Sequence, residues 1–267
     1  MKRAALVACA CAVLAVTGTR AYQETHWPVV RRYAAPEARQ AVAVDATHFY
    51  VVANRRIGKY AKASGALVTA WHDEDGGPFI HLNSGVVVGG ELLCAHSNYP
   101  GVPMVSSVEI WDTATMRHVR SVPLGIGRGS ATWIDRHDQA WWVAYAHYPP
   151  PSGEPRRGPE YSVLVRYDDQ WRETGAWAFP KAVVARWDGM STSGGVWTDD
   201  GRLITAGHHQ PELYLLSLPQ AGAVLVLDRI VAVESEGQGI ARDPVDPSLL
   251  WSIQRRSSEV LVSRMPR

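Results

Sequence analysis

Four histidines stand next to short apolar runs in this sequence. His81 comes shortly before such a run, whereas His96, His147 and His208 each come shortly after one. An imidazole is neutral or charged near physiological pH, so it can accept or donate a proton or bind a metal ion. These positions predict a site of acid–base chemistry, and the same histidines could hold a metal ion, if the fold brings them together.

Polar residues occupy the same kind of position and could hold a substrate for those histidines. The candidates are Asn83, Asn98, Arg128, Tyr148, Ser193, Glu236, Gln238 and Arg255. Arg, Asn and Ser side chains can hold an anionic or carbonyl oxygen while an imidazole moves a proton. The set predicts a lyase, lactonase, cyclase or isomerase that acts on an oxygen-rich small molecule or an oligosaccharide.

Other chemistries find little support in the sequence. A glycosidase needs two carboxyl groups across the scissile bond, and Glu236 is the only good candidate, with Asp188 nearby in a longer loop. No Gly-x-Ser-x-Gly elbow, phosphate-binding loop, Cys/His zinc pattern or acidic calcium cluster occurs. Two non-catalytic alternatives stay open: a module that binds a sugar or a peptide, and a structural protein of the cell envelope.

The elements that must position these side chains are short β-strands in a repeated hairpin. In each repeat an apolar run is followed by an acidic or glycine turn and then by a second apolar run. The turns fall at Asp45, Gly90, Asp138, Asp200 and Asp246, at spacings of 45, 48, 62 and 46 residues. The long interval contains a Pro/Gly-rich loop at 149–160, and without that loop the period is typical of a propeller blade.

The repeats predict an all-β fold, a five-bladed β-propeller of four-stranded blades. The last repeat ends one strand short, after the run 259–262, and a strand-like run at 27–33 precedes the first repeat. We expect this N-terminal strand to complete the last blade, because closure of the ring removes an unpaired sheet edge. A β-sandwich with coincidental spacing is the alternative.

The propeller geometry predicts where the polar side chains meet. The innermost strand of each blade starts at one face of the disc and the second strand returns to that face. Residues before the first strands and after the second strands therefore crowd around one mouth of the central channel. We expect the four histidines to share a pocket there, while the opposite strand ends carry ordinary turn residues.

The N-terminal residues have the layout of a secretory signal peptide. Lys2 and Arg3 precede an apolar run at 4–16, and Thr19 and Ala21 are small residues suited to cleavage. The run is too short to span a membrane with ease, so we expect residues 1–21 to be removed and 22–267 to form one exported domain, periplasmic or extracellular. Lipidation at Cys9 is the alternative.

Composition limits the partners of the chain. The net charge is +1 and no long basic run occurs, which argues against nucleic acid as a partner. The chain contains 11 Trp and 10 Tyr but only 3 Phe. These aromatic rings predict a large sheet-packed core, and some of them could also line a site for a saccharide.

Several segments resemble a family of secreted bacterial propellers that are usually labelled cycloisomerase-like. They are 81–85 (HLNSG), 94–100 (CAHSNYP), 107–112 (SVEIWD), 133–135 (WID) and 237–241 (GQGIA). The label implies a distant likeness to propeller lactonases and muconate-lactonising enzymes. The segment 236–240 is also similar to blade openings of five-bladed glutaminyl cyclotransferases, although the other blade openings depart from that pattern.

Overall fold

The computed structural model describes residues 26–266, and the predicted signal peptide, residues 1–21, lies outside them. Within the described residues the strands form five four-stranded antiparallel sheets. Blade one contains β2 (Ala41–Val44), β3 (His48–Ala53), β4 (Arg56–Ala61) and β5 (Leu67–His72), and blade two contains β6 (His81–Val88), β7 (Glu91–Ser97), β8 (Val105–Asp112) and β9 (Arg117–Ile126). Blade three contains β10 (Ser130–His137), β11 (Ala140–Ala146), β12 (Val163–Tyr167) and β13 (Glu173–Ala178). Blade four contains β14 (Gly194–Trp197), β15 (Leu203–Ala206), β16 (Glu212–Ser217) and β17 (Val226–Ala232). The five-bladed β-propeller predicted from the repeats is confirmed.

The fifth blade joins the two ends of the described chain. It contains β18 (Ala241–Arg242), β19 (Leu249–Gln254) and β20 (Glu259–Arg264), with β1 (Val29–Ala34) as its outer strand. β1 pairs antiparallel with β20, and Tyr33 lies opposite Val260. The ring of Tyr33 also stacks on that of Trp251, 5.7 Å away. The predicted closure by the N-terminal strand is therefore confirmed.

The core lies between neighbouring blades. One large apolar cluster fills each of the five interfaces between adjacent sheets in the described part of the chain. Tryptophans supply much of this volume, and Trp111, Trp133, Trp142, Trp187 and Trp251 are almost fully buried. Large aromatic rings fill a wedge between twisted sheets because each ring buries much apolar area. The predicted role of the aromatic residues in the core is thus observed for these five.

The innermost strands approach one another closely around the axis. A Cβ atom on Gly195 would lie 2.5 Å from the ring of Trp133, and one on Gly239 would lie 2.3 Å from Cβ of Ala41. Such distances are far below van der Waals contact, so both positions require glycine. Neighbouring inner strands are consequently packed closely against each other at these two positions.

The elements outside the blades are short. A four-residue helix, α1 (Lys181–Val184), leads into the 3-10 turn Ala185–Trp187 and places Trp187 between blades three and four. The Pro/Gly-rich loop is tied down, since Oε1 of Glu154 accepts a hydrogen bond from the main chain of Met104 at 3.2 Å. No helix among residues 26–266 combines the length and apolar character needed to cross a bilayer.

Candidate functional site at one mouth of the channel

A cleft of about 380 Å³ opens at the mouth where the first strands begin. The residues that line it come from strand ends of blades one, four and five: Arg39, His208, His209, Glu236, Arg255 and Arg256. Three of these six side chains are guanidinium groups and one is a carboxylate. The cleft therefore carries an excess of positive charge.

Arg255 lies at this mouth without an ion-pair partner among the described residues, as does the more exposed Arg39. Its side chain is half-buried, and burial together with the nearby charge of Arg39 lowers its pKa. The only carboxylate of the cleft, Glu236, instead pairs with Nε of Arg256 at 3.1 Å. Within residues 26–266 no carboxylate approaches the Arg255 guanidinium to 4 Å. A half-buried guanidinium without an anion is a ready site for a carboxylate or a phosphate.

His208 lies beside Arg255 and is oriented by its neighbour. Nδ1 of His208 shares a hydrogen bond with Nε2 of His209 at 2.9 Å. Burial lowers the pKa of His208 to about 3, and the charges of His209, Arg255 and His81 act in the same direction. The imidazole is accordingly neutral at physiological pH and can accept a proton or a hydrogen bond.

His81 reaches the same charged environment from blade two. Burial lowers its pKa to about 4, with further contributions from the charges of His96 and Arg255. Its ring lies 5.1 Å from the ring of Tyr99, which in turn lies 4.7 Å from that of Tyr148. His81 and His208 are therefore both exposed to the charge of Arg255, although His81 is not among the residues that line the cleft, and Tyr148 belongs to an aromatic group beside His81.

His96 is committed to a buried network inside blade two. Its Nε2 accepts a hydrogen bond from the main chain of Ile80 at 3.1 Å, which leaves Nδ1 as the donor to Oγ of Ser107 at 2.9 Å. Ser107 then donates to Oε1 of Glu109 at 2.6 Å. A serine, a histidine and a glutamate are adjacent here, but the serine proton points to the carboxylate and away from the imidazole. This set lacks the nucleophile–base geometry of a hydrolase.

His147 is likewise held by structural contacts and lies away from the cleft. It is 2% exposed, its Nε2 donates to the carbonyl oxygen of Arg128 at 3.1 Å, and its main-chain N–H donates to Ser162. Burial lowers its pKa. The guanidinium of Arg128 forms an ion pair with Glu173 on an outer strand. The structure therefore does not bring His147 or Arg128 to the mouth pocket expected from the sequence.

The remaining predicted residues divide between supporting and loop-forming roles. Gln238 is 1% exposed and donates from Nε2 to the carbonyl oxygen of His208 at 3.2 Å, so it helps to fix the main chain at His208. Asn98 ties its own loop, accepting from Val105 at 2.8 Å and donating to Pro103 at 3.0 Å. The other two lie buried along the first strands or directly before them: Asn83 and Ser193.

The opposite end of the channel is more polar than the sequence suggested. Asp135, on inner strand β10, and Arg242, on β18, line a second cavity there. Sequence reasoning assigned only turn residues to this end and so missed them. The available signal was a carboxylate, Asp135, directly after the apolar run 131–134 of an inner strand.

The histidines of the mouth do not form a recognisable metal cage. Among residues 26–266, no group of three or more His, Cys, Asp or Glu side chains is arranged to hold a metal ion. The two histidines that line the cleft, His208 and His209, are accompanied there by guanidinium groups, whose positive charge disfavours binding of a cation.

Comparisons with known proteins support the fold and leave the function open. No family model matches the sequence, and no curated protein does. Among solved structures, a chain of the mitotic checkpoint complex aligns with a TM-score of 0.50 and 11% identity, covering 100% of this chain and 99% of that chain. The WD40 repeats of RRP9 align with a TM-score of 0.47 and 10% identity, over 90% and 99% of the two chains. A protein of unknown function from Bacteroides caccae aligns with a TM-score of 0.45 and 14% identity, over 78% and 65%. Likenesses at these identities concern the fold alone.

Proposed function

We propose that the mouth cleft binds a small, oxygen-rich molecule that carries a carboxylate, and that His208 and His81 move protons on it. The reaction class that fits is that of a lyase, a lactonase or a cycloisomerase. The protein would be exported and would act on its substrate outside the cytoplasm. The observation that carries the proposal is the half-buried Arg255 guanidinium, which lies beside neutral imidazoles and has no carboxylate partner in the described chain.

The charge of the cleft favours an anion over a neutral ligand. Arg39 donates through Nη1 to the main-chain carbonyl oxygen of Arg255 at 2.6 Å, and its charge lowers the pKa of the Arg255 guanidinium. Two adjacent cations repel each other, and a bound carboxylate relieves that repulsion. A planar guanidinium can also hold a carboxylate through two parallel hydrogen bonds, which fixes the orientation of the ligand.

A bound carboxylate would also make the histidines better bases. Without a ligand, their pKa values of about 3 and about 4 mean that they hold a proton too weakly for efficient proton abstraction at neutral pH. A negative charge nearby stabilises the imidazolium and raises both pKa values. The substrate itself therefore tunes His208 and His81 toward the range in which a general base works well, and binding should be accompanied by proton uptake.

A binding module without catalysis is the second candidate. Low pKa values favour it, because neutral imidazoles serve as hydrogen-bond partners even when they are poor bases. Tyr99, which is partly exposed and packs against His81 and the buried Tyr148, would then supply a stacking surface for a sugar ring. A glutaminyl cyclotransferase is less well supported, since Glu236 of the segment similar to that family is paired with Arg256 and Gln238 supports His208.

Three ligands of one skeleton test the proposal: gluconate, its δ-lactone and glucose. Calorimetry should detect binding of gluconate and little binding of glucose. The Arg255→Gln protein should bind gluconate about 10- to 100-fold more weakly, because a charge-assisted hydrogen bond contributes about 1.5–3 kcal/mol. Arg202→Gln, exposed on another part of the ring, is the matched control and should bind normally. Equal binding of glucose and gluconate would contradict the proposal.

Turnover separates the two candidates. If the protein is an enzyme of this class, opening of the lactone followed by NMR should accelerate with protein concentration. The His208→Gln protein should then lose about 100-fold or more in rate while it still binds gluconate. If gluconate binds but neither the lactone nor related hydroxy acids react, the mouth is a binding site only.

A further inference from the structure

A second cavity, of about 180 Å³, lies at the end of the channel opposite the mouth. All five blades contribute an apolar side chain to its wall: Val44, Val86, Ile134, Val196 and Ile240. Cavities of about 150 Å³ in other proteins hold a benzene-sized molecule. This cavity is therefore large enough for a ligand of roughly six to ten non-hydrogen atoms.

Most of the charged groups around this cavity already have partners. The Arg242 guanidinium on β18 pairs with Asp199 in the turn after β14, with Nη1 at 2.7 Å from Oδ1. Asp243 accepts from Nζ of Lys62 at 2.8 Å and from the indole N–H of Trp251 at 2.9 Å. Arg136 points to Asp169 at 2.7 Å.

Asp135 differs from these groups because its contacts are with the main chain. It is 6% exposed, and its Oδ2 accepts a hydrogen bond from the main-chain N–H of Trp197 at 2.7 Å. In the described part of the chain no Lys, Arg or His nitrogen lies within 4 Å of this carboxyl group. Burial raises the pKa of Asp135 to about 7, and this rise is partly offset by main-chain hydrogen bonds from Trp197 and Arg136 and, to a smaller extent, by the more distant charge of Arg242.

We propose that this end of the channel binds a small organic ammonium ion with an apolar body, and that Asp135 is its counter-ion. The apolar wall formed by side chains from all five blades buries the hydrocarbon part, and the carboxylate receives the ammonium group. A buried carboxylate is costly when it is alone, and a cation of the ligand removes that cost. Arg242 opposes binding of a cation only weakly, because Asp199 neutralises its charge. The ring of His137, which also lines the cavity, is stacked on that of Trp197 with ring centres 4.9 Å apart.

Cyclohexylamine, cyclohexanol and cyclohexanecarboxylate test this proposal, since they share a ring and differ in charge. Calorimetry at pH 8 should detect binding of the amine, and the alcohol and the carboxylate should bind at least tenfold more weakly. From pH 6 to pH 8 the affinity for the amine should rise about tenfold, because the ionised fraction of a carboxyl group titrating near 7 rises by that factor. The amine itself stays protonated over this range, since alkylammonium groups have pKa values of about 10.

Two variants of the cavity and two controls locate the ligand. Asp135→Asn keeps an acceptor for the Trp197 N–H and should lose amine binding while its thermal unfolding stays at or above that of the wild type at pH 8. Val86→Phe keeps the carboxyl group but fills part of the cavity, and should also lose binding. Asp228→Asn, on the exposed outer strand β17, and Arg255→Gln, at the mouth, should bind the amine normally.

Several outcomes would overturn the inference. Binding of cyclohexanol as tight as that of the amine would mean an apolar pocket in which Asp135 has no role as counter-ion. Unchanged binding in Asp135→Asn or in Val86→Phe would place the amine elsewhere. No binding of the amine at millimolar concentration, or binding of sodium or potassium ions in its place, would equally exclude an organic cation site.

Discussion

His96 lies at the end of the second strand of blade two and His208 follows the second strand of blade four, yet of these two only His208 is placed to act on a ligand. The difference lies in what their ring nitrogens bond. His96 accepts from the main chain of Ile80 and donates to Ser107, so both nitrogens are used within the fold. His208 bonds His209 through Nδ1 and faces the cleft beside Arg255. Whether a histidine can act on a ligand therefore depends on whether one of its two ring nitrogens is left free by the fold, and the position of the residue in a strand does not reveal this.

The buried, neutral histidines predict that the fold loses stability in acid. In the folded state His208 and His81 have pKa values of about 3 and about 4, whereas an unfolded histidine has a pKa of about 6.5. Below pH 6.5 the unfolded chain therefore binds more protons, and the free energy of unfolding falls as the pH falls toward 3. Between pH 7 and pH 5, each of these two histidines should contribute a loss on the order of 2 kcal/mol.

Urea unfolding at a series of pH values checks this prediction. His208→Gln should reduce the loss of stability between pH 7 and pH 5 relative to the wild type, because one acid-sensitive group has been removed. Asn98→Ala, a change in an uncharged residue of the same face, should lower stability equally at both pH values. The comparison of variants matters because Asp135, whose pKa is raised by burial, favours folding at low pH and acts in the opposite sense.

The sequence predicts the positions of the candidate residues but not the directions of their side chains. His81 pairs with Ser97 and the next residue, Leu82, pairs with His96. Paired residues in an antiparallel sheet share a face and successive residues alternate, so the two histidines lie on opposite faces of blade two. A shift of one residue in register exchanges the faces. Hydrophobic patterning alone does not fix register at strand ends, and this is why His96 was placed in the pocket from sequence.

At the scale of elements, the fifth blade closes the ring, because it combines the N-terminal strand with the last three strands of the described chain. Its inner strand, β18, has only two residues, because Gln238 with a φ of 73° and Gly237 with a φ of 65° precede it and Asp243 begins a turn after it. The repeat pattern was sufficient to predict this blade and its outer strand, since the count of apolar runs is a property of the sequence. It did not predict the short helix at Lys181–Val184, which has too few residues to show helical periodicity.

The contribution of β1 can be measured with two substitutions on the same strand. Tyr33 stacks on Trp251, packs on Phe49 with ring centres 4.8 Å apart, and donates to the carbonyl oxygen of Lys62 at 2.7 Å. Tyr33→Ala should lower the free energy of unfolding by about 2–4 kcal/mol. Val30→Ala, at an exposed position of β1, should change it by less than about 0.5 kcal/mol.

Deletion of residues 27–34 extends the same test to the whole strand. The truncated chain should lose cooperative thermal unfolding, because β20 would then present an unpaired edge and the cluster between blades five and one would lose Tyr33. A truncated protein that melts at the wild-type temperature would show that closure by β1 does not stabilise the ring.

At the scale of the molecule, each blade is held by its two neighbours. The five large apolar clusters lie between blades, so no blade among the described residues has a core of its own. Opening of one interface exposes the aromatic residues on both of its faces, including several of the buried tryptophans. A closed ring of this kind should therefore unfold as one unit, in contrast to an open array of repeats, whose ends fray.

Cys94 offers a direct measurement of that cooperativity. It is fully buried in the cluster between blades one and two, and burial raises the pKa of its thiol. In a chain that starts at Tyr22, the predicted mature N-terminus, it is the only cysteine. Labelling by a thiol reagent should occur only after unfolding, so the free energy obtained from labelling should equal that from urea unfolding. Ser64→Cys, at an exposed turn, should label at the rate of a free thiol. Labelling of Cys94 with a clearly smaller free energy would mean that blades one and two separate while the rest of the ring stays folded.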